Sequence, residues 1–445
     1  MRLSNLSQCL SICSLATIVG LSAFSAGCSD DDKAAASGGS GGATGGAGGA
    51  GGAGGAAGAC SGADTTGCTQ VVEPGSNDTE ALQSALIEVK SGGTVCLCAG
   101  SYSVTKEVSL NVAGVTVKGL GATPEETILD FKDQTEGDDG FTVTSDGFTV
   151  ENLWVKNSPG NGIVVTGAED VTFRKLKVSW DAGSVTKNGA YAVYPVKSKR
   201  VIIEDSEIIG ASDAGVYVGQ CEQAIVRRNK VHGNVAGIEI ENTTDAEVYE
   251  NEAYDNTSGI LVFVLPNLEK KDGMRALVRN NMIKANNRAN FAEDKTVVSY
   301  VPAGTGMLIL GSDQTEVRDN TIEDNNSVAV LVVSLQTFSI LIGGTPDPAT
   351  DPDPEGTYIY QNTLKNNGTD PQGLVGSFNI KPFEEIAWDG FEGAGTGEKL
   401  CLGAKPHPTF RNLQAPLGGI ADDKLHTTDS TPHECTLTPL SAVSF

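Results

Sequence analysis

One short pattern recurs down the middle of the chain and limits what it can fold into. The segments GIVV (162–165), AVYP (192–195), GVYV (215–218), GIEI (237–240), GILV (259–262), GMLI (306–309) and AVLV (329–332) align, each opening on a small residue and then alternating. Ten positions after the first apolar residue another follows, as in Ile163/Phe173, Val193/Ile203, Val216/Val226, Ile238/Val248 and Met307/Val317. Two asparagine columns keep the same phase: Asn229, Asn251, Asn281, Asn320 and Asn362, then Asn234, Asn256, Asn286, Asn325 and Asn367. Coil starts lie 23 residues apart from Val193 to Val216, and 22 apart onward to Ile238 and to Ile260.

A period of this length marks stacked supersecondary units, each too small to bury its own apolar side. The predicted fold class is all-β: a right-handed parallel β-helix, a single-stranded solenoid of about ten coils. Asparagine suits the tight corners because it tolerates left-handed backbone and bonds its own turn, and stacked amides can bond along the ladder. An open stack edge invites pairing with other chains, so the ends need covers. Asp78 to Lys90 reads as an N-terminal capping helix with Asp78 or Thr79 as its cap. Residues 60–370 are assigned to the β-helix, and 371–445, where the repeat fades, to an irregular C-terminal cap.

The chain opens with Arg2 and an apolar run from Leu10 to Phe24, then Ser25-Ala26-Gly27-Cys28. Small residues before a cysteine resemble a bacterial lipoprotein signal, which implies removal of 1–27 and lipidation of Cys28. An ordinary secretory signal cut nearby is the alternative. Residues 28–59 are largely Gly, Ala and Ser and read as a flexible tether. The expected location is the cell envelope, outer membrane or cell surface, with the membrane touched only through the anchor. Of ten cysteines, Cys9 and Cys13 leave with the signal and Cys28 carries lipid, leaving seven. Cys60, Cys68, Cys96 and Cys98 cluster at one end and Cys401 with Cys435 at the other, as disulfide candidates for an exported chain; Cys221 is left as the free thiol. No zinc or haem spacing appears, nor a nucleophile elbow or P-loop. A net charge of −25 argues against nucleic acid.

NGAYAVYPV (188–196), GASDAGVYVGQ (210–220), NVAGIEIEN (234–242) and GILVFVLPNL (259–268) resemble segments of exported bacterial β-helix lipoproteins of unassigned function. That resemblance implies a right-handed β-helix, and it allows an exported cytochrome-like partner. A more distant similarity links the chain to pectate lyases and alginate-modifying enzymes, whose acting residues do not map onto it one by one, and fold alone does not carry chemistry.

Alternation places the neighbours of the inward residues on the outer face. One outer column then reads Val164, Tyr194, Tyr217, Glu239, Leu261, Leu308, Leu331; the next reads Thr166, Val196, Gly219, Glu241, Phe263, Leu310, Val333. Tyr194 and Tyr217 suit a sugar ring, or simply pair across strands. Glu239 and Glu241, about 6.7 Å apart along one strand, read as a catalytic acid and base, as Ca2+ ligands, or as a solvated face paired with Arg227. Gly219 leaves room for a ligand or serves a turn. The insertion 179–191 carries Trp180 and Tyr191 toward the tyrosines, so Trp180, Tyr191, Tyr194 and Tyr217 are the candidate ligand-binding residues. Insertions at 264–275, 288–303 and 343–356 are expected to cover the apolar part of the face. His232 reads as a turn residue before a base, and the Asp-Pro-rich stretch 346–354 as a loop before a Ca2+ site. Two functions follow: binding or processing of polysaccharide, as a lyase, epimerase or hydrolase if catalytic, or a non-enzymatic scaffold that docks an envelope protein partner through bare apolar columns.

Overall fold

The computed structural model describes residues 60, 62–344, 347–392 and 400–445. The signal segment, Cys28 and the 28–59 tether lie outside the described residues. The chain winds into a parallel β-helix with three sheets of 11, 10 and 11 strands. The first sheet runs from Gln70–Val72 to Tyr358–Tyr360, the second from Gly100–Ser103 to Thr363–Lys365, and the third from Lys106–Leu110 to Phe410–Asn412. The sheets have 10 or 11 rungs, and the coil count differs slightly from the expected ten.

The register is the one the alternation predicts. In the third sheet Ile163, Val193, Val216, Ile238, Ile260, Met307 and Val330 form one row. In the first, Phe173, Ile203, Val226, Val248, Val278, Val317 and Ile359 form another. Both rows are buried in one continuous core. Sharing that core is what makes each coil stable, since a lone coil leaves its inner row in water.

Both asparagine columns are vertical hydrogen-bonded ladders. From Asn229 to Asn362 each Nδ2 donates to the Oδ1 of the next rung at 2.9–3.0 Å. The same Oδ1 accepts the backbone N–H of the Asn before it. The second ladder, Asn234 to Asn367, repeats this at 2.9–3.1 Å. The left-handed corner is not the asparagine itself, as expected, but the residue before it. Arg228, Glu250, Asn280, Asp319 and Gln361 have φ between 54° and 56°. The division of labour has a physical reason: the preceding residue makes the bend, which turns the Asn amide inward to bond along the stack.

The capping helix spans Asp78–Glu88, two residues shorter than expected, and buries Leu82 and Leu86. Its cap position is Asn77, with no side-chain capping bond. Asp78 instead accepts from Gly75 N–H at 2.6 Å and Ser103 N–H at 2.7 Å, which ties the helix to the first coil. Disulfides join Cys60 to Cys98, Cys68 to Cys96, and Cys401 to Cys435, while Cys221 is a buried free thiol. Past residue 370 the third sheet continues through Ile386–Trp388 and Phe410–Asn412. Among the described residues no helix is long and apolar enough to cross a membrane.

Candidate functional site

The outer face of the third sheet is the one on which both sequence columns converge. Tyr217, Glu239, Leu261, Leu308 and Leu331 are in register, as are Val196, Gly219, Glu241, Phe263, Leu310 and Val333. The apolar rungs are not bare. Leu261, Phe263, Leu308 and Leu310 belong to a second buried cluster, outside the solenoid core. The cover comes from Val298 and Val301 of the 288–303 insertion, from Leu335 at the start of helix Leu335–Ile342, and from Val375, Phe378, Phe383 and Leu413. Each large apolar side chain so buried contributes about 2 kcal/mol, enough to hold the covering segments down.

Where the apolar rungs end, the face changes character. Glu239 and Glu241 are 3% and 5% exposed, so they lie under side chains rather than on a solvated surface. Tyr217 Oη donates to Glu241 Oε1 at 2.6 Å. Tyr191 Oη donates to Asp213 Oδ2 at 3.4 Å. Ring centroids of Tyr191 lie 4.7 Å from Tyr194 and 4.4 Å from Tyr217, and those of Tyr194 and Tyr217 are 4.8 Å apart. The three tyrosines therefore form one aromatic block over three carboxyl groups, with Tyr191, Tyr194 and Asp213 keeping partial solvent contact.

Burial sets the electrostatics. It pushes Glu239 well above the usual carboxylate range, reinforced by the charges of Asp213 and Glu241. Burial also raises Glu241, against the bonds from Tyr217 and Glu239 that pull it down. Asp213 rises to about 7 through burial and then through repulsion from Glu241. The tyrosines follow: Tyr191 and Tyr217 rise well above the phenol range and Tyr194 to about 12, burial leading in each. Like charges this close cannot all ionise, so the cluster holds protons at neutral pH. Glu239 Oε2 is buried without a hydrogen-bond partner, a polar atom left unspent. Gly219 matters here: a side chain at 219 would occupy the space of the Tyr217 ring. The room it leaves is taken by Tyr217 on its way to Glu241, not by a ligand.

Two sequence expectations for this site need correction. Trp180 does not line it: the indole is buried in the solenoid core, its Nε1 donating to Ser158 O at 2.7 Å. The insertion begins right after strand Lys177–Ser179, so alternation no longer governs Trp180, and the largest apolar surface in the segment turns inward. Arg227 does not pair with the glutamates; it sits on the first sheet, bound to Glu204 at 2.6 Å and to Tyr249 Oη at 2.9 Å. Asp213, which completes the carboxyl group, was not singled out from sequence. It precedes the strand Ala214–Gly219 inside GASDAGVYVGQ, where the small residues mask it as a turn.

His232 stacks on Tyr254 at 4.7 Å and faces Glu207 at 3.5 Å, away from the tyrosine block. In the Asp-Pro-rich segment, Asp351 and Glu355 meet Asp313 with carboxylate oxygens within 4.8 Å of one another. Burial and Glu355 raise Asp313 to about 8. Among the described residues this is the one carboxylate group compact enough for a cation such as Ca2+; Asp213, Glu239 and Glu241 are not.

Comparison with known proteins finds the following similarities. Among solved structures, the A-module of the Azotobacter vinelandii mannuronan C-5 epimerase AlgE4 has 18% identity and a TM-score of 0.46, over 74% of this chain and 89% of that one. An alginate lyase from Paenibacillus has 15% identity and a TM-score of 0.42, over 67% and 99%. DFA-IIIase from Arthrobacter chlorophenolicus has 12% identity and a TM-score of 0.46, over 75% and 94%. These are likenesses of fold. No curated protein sequence matches the chain significantly. Residues 139–269 match the family described as right handed beta helix region, and with the ladders above the chain is a right-handed parallel β-helix repeat protein.

Proposed function

We propose that the chain is an exported, lipid-anchored β-helix that binds polysaccharide and processes it at the tyrosine–carboxyl end of its covered face. The observation that carries this is the gathering of Asp213, Glu239 and Glu241, all with raised proton affinity, beneath three tyrosines of which Tyr191 and Tyr194 reach solvent and Tyr217 is buried. Buried, mutually repelling carboxyls with raised proton affinity are candidates for a functional site. In this reading Tyr194 and Tyr191 give an aromatic platform for a sugar ring. Asp213, near 7, exchanges protons with substrate at neutral pH. Glu239 stays protonated and acts as an acid, and Glu241, oriented by Tyr217, carries the balancing charge. Lyase, epimerase and hydrolase chemistry all draw on such an acid–base set.

The scaffold alternative needs the apolar columns bare, and the chain's own segments cover them. The test is turnover of a panel of uronate and neutral polysaccharides, followed by chain-end release and by NMR of ring configuration. Wild type should convert at least one, with Asp213→Asn slower by about two orders of magnitude, as expected for loss of a proton-transfer group. No conversion by wild type, or full activity in both Asp213→Asn and Glu239→Gln, removes the catalytic reading.

A further inference from the structure

A cavity lies on a different sheet from the tyrosine site, and the C-terminal segment builds one of its walls. Cys435 is fixed to Cys401, and the residues after it run along the outer face of the first sheet. Two buried carboxylates hold them there. Glu316 accepts from Arg318 and Tyr360 on Oε1 and from the Leu440 N–H on Oε2. Glu247 takes Arg279 on Oε1 and accepts the Val443 N–H on Oε2 at 2.9 Å. Glu247 and Glu316 are two rungs apart in register, about 9.6 Å, and three extended residues span about 10 Å. The segment therefore lies stretched along the stack axis.

It does not fill its groove. A cavity of about 780 Å³ remains between it and a column of corner residues, Gln223, Asp245, Arg275 and Gln314. All four have left-handed backbone, φ 49° to 59°, which stacks their side chains rung over rung. That volume falls in the usual range for small-ligand sites. Its charged lining groups, Asp245, Arg275 and Glu316, are already bonded, and the unspent groups are uncharged. Among the described residues, the side-chain amides of Gln223 and Gln314 make no hydrogen bond, and neither do the hydroxyls of Thr438 and Ser441 on the opposite wall. Arg275 is the one cation lining it, already held by Asp245 through two bonds of 2.6 and 2.9 Å.

We propose that this cavity is a binding site for a neutral oligosaccharide, with residues 436–444 as one wall. Amide groups pair a donor and an acceptor in one plane, which matches adjacent sugar hydroxyls. With no free cation present, an acidic sugar would leave its charge unpaired. The proposal stands independently of the tyrosine–carboxyl reading.

The test is calorimetric titration of the full chain with cellohexaose, maltohexaose and mannohexaose, a mannuronate hexamer, and a peptide of sequence 436–445. At least one neutral hexasaccharide should bind. The Gln223→Ala/Gln314→Ala double variant should weaken it at least tenfold, truncation after Cys435 should weaken it likewise, and Lys284→Ala, an exposed position on the second sheet, should leave it unchanged. Circular dichroism and melting temperature establish that each variant is folded. The proposal is overturned if no neutral hexasaccharide binds, if the mannuronate hexamer or the peptide binds as tightly, or if Tyr194→Ala rather than the glutamine pair abolishes binding.

Discussion

At the scale of single residues, the chain spends stability on its carboxyl cluster, and that cost is readable in pH. Asp213 goes from an ordinary 3.8 to about 7 on folding. A carboxyl raised by folding binds more protons in the native than in the unfolded state between those two values. Stability is therefore undiminished below pH 3.8, falls as pH rises through the window, and the full cost is present above about 7. The shift corresponds to roughly 4 kcal/mol; because Asp213 keeps part of its water, about 2 kcal/mol is the expected cost. Asp213→Asn mimics the protonated form. Denaturant titration should find this variant about 2 kcal/mol more stable than wild type at pH 8 and equal to it at pH 3.5. A variant less stable than wild type at pH 8 would show that the carboxylate is satisfied where it sits. Legibility at this scale was uneven. Glu239, Glu241, Tyr194 and Tyr217 could be placed because alternation alone decides which way they point. Trp180, Arg227 and Asp213 could not, because each depends on where an insertion or a turn puts the backbone.

At the scale of elements, the asparagine ladders do what the strands cannot, holding the corners in phase. Asn281 accepts the Asn251 backbone and side-chain N–H groups and donates to Asn320 and Val248. Asn281→Ala strands two buried donors of Asn251 and leaves the Asn320 and Val248 acceptors short of a bond. At about 1–3 kcal/mol per orphaned group, partly relieved by water, a loss of about 3 kcal/mol is expected. A lowered guanidinium midpoint, together with faster hydrogen exchange at residues 250–256, would check it. An unchanged midpoint would mean the ladder is ornamental to stability. The ladders were visible as spacing in the sequence, and so were the inner rows. Which residue makes the left-handed corner was not visible, because residues 228, 250, 280, 319 and 361 are Arg, Glu, Asn, Asp and Gln, with no common type to betray the geometry.

At the scale of the whole molecule, the solenoid is a rigid frame and its working surfaces are made by what departs from the repeat. Segments 288–303, 335–342 and 373–383 cover one end of the third sheet's face, and the tyrosine block marks where the cover stops. Periodicity told where the face is and that insertions would cover its apolar rungs; it carried no information on how nonrepeating segments fold onto it, since their contacts are set by shape rather than by phase. We propose that a polysaccharide is recognised at that boundary. Its most direct test is a glycan array probed with wild type, Tyr194→Ala and the Gln223→Ala/Gln314→Ala double variant. At least one polysaccharide should be bound by wild type and by the double variant but lost from Tyr194→Ala. An array on which no glycan shows that pattern would contradict it.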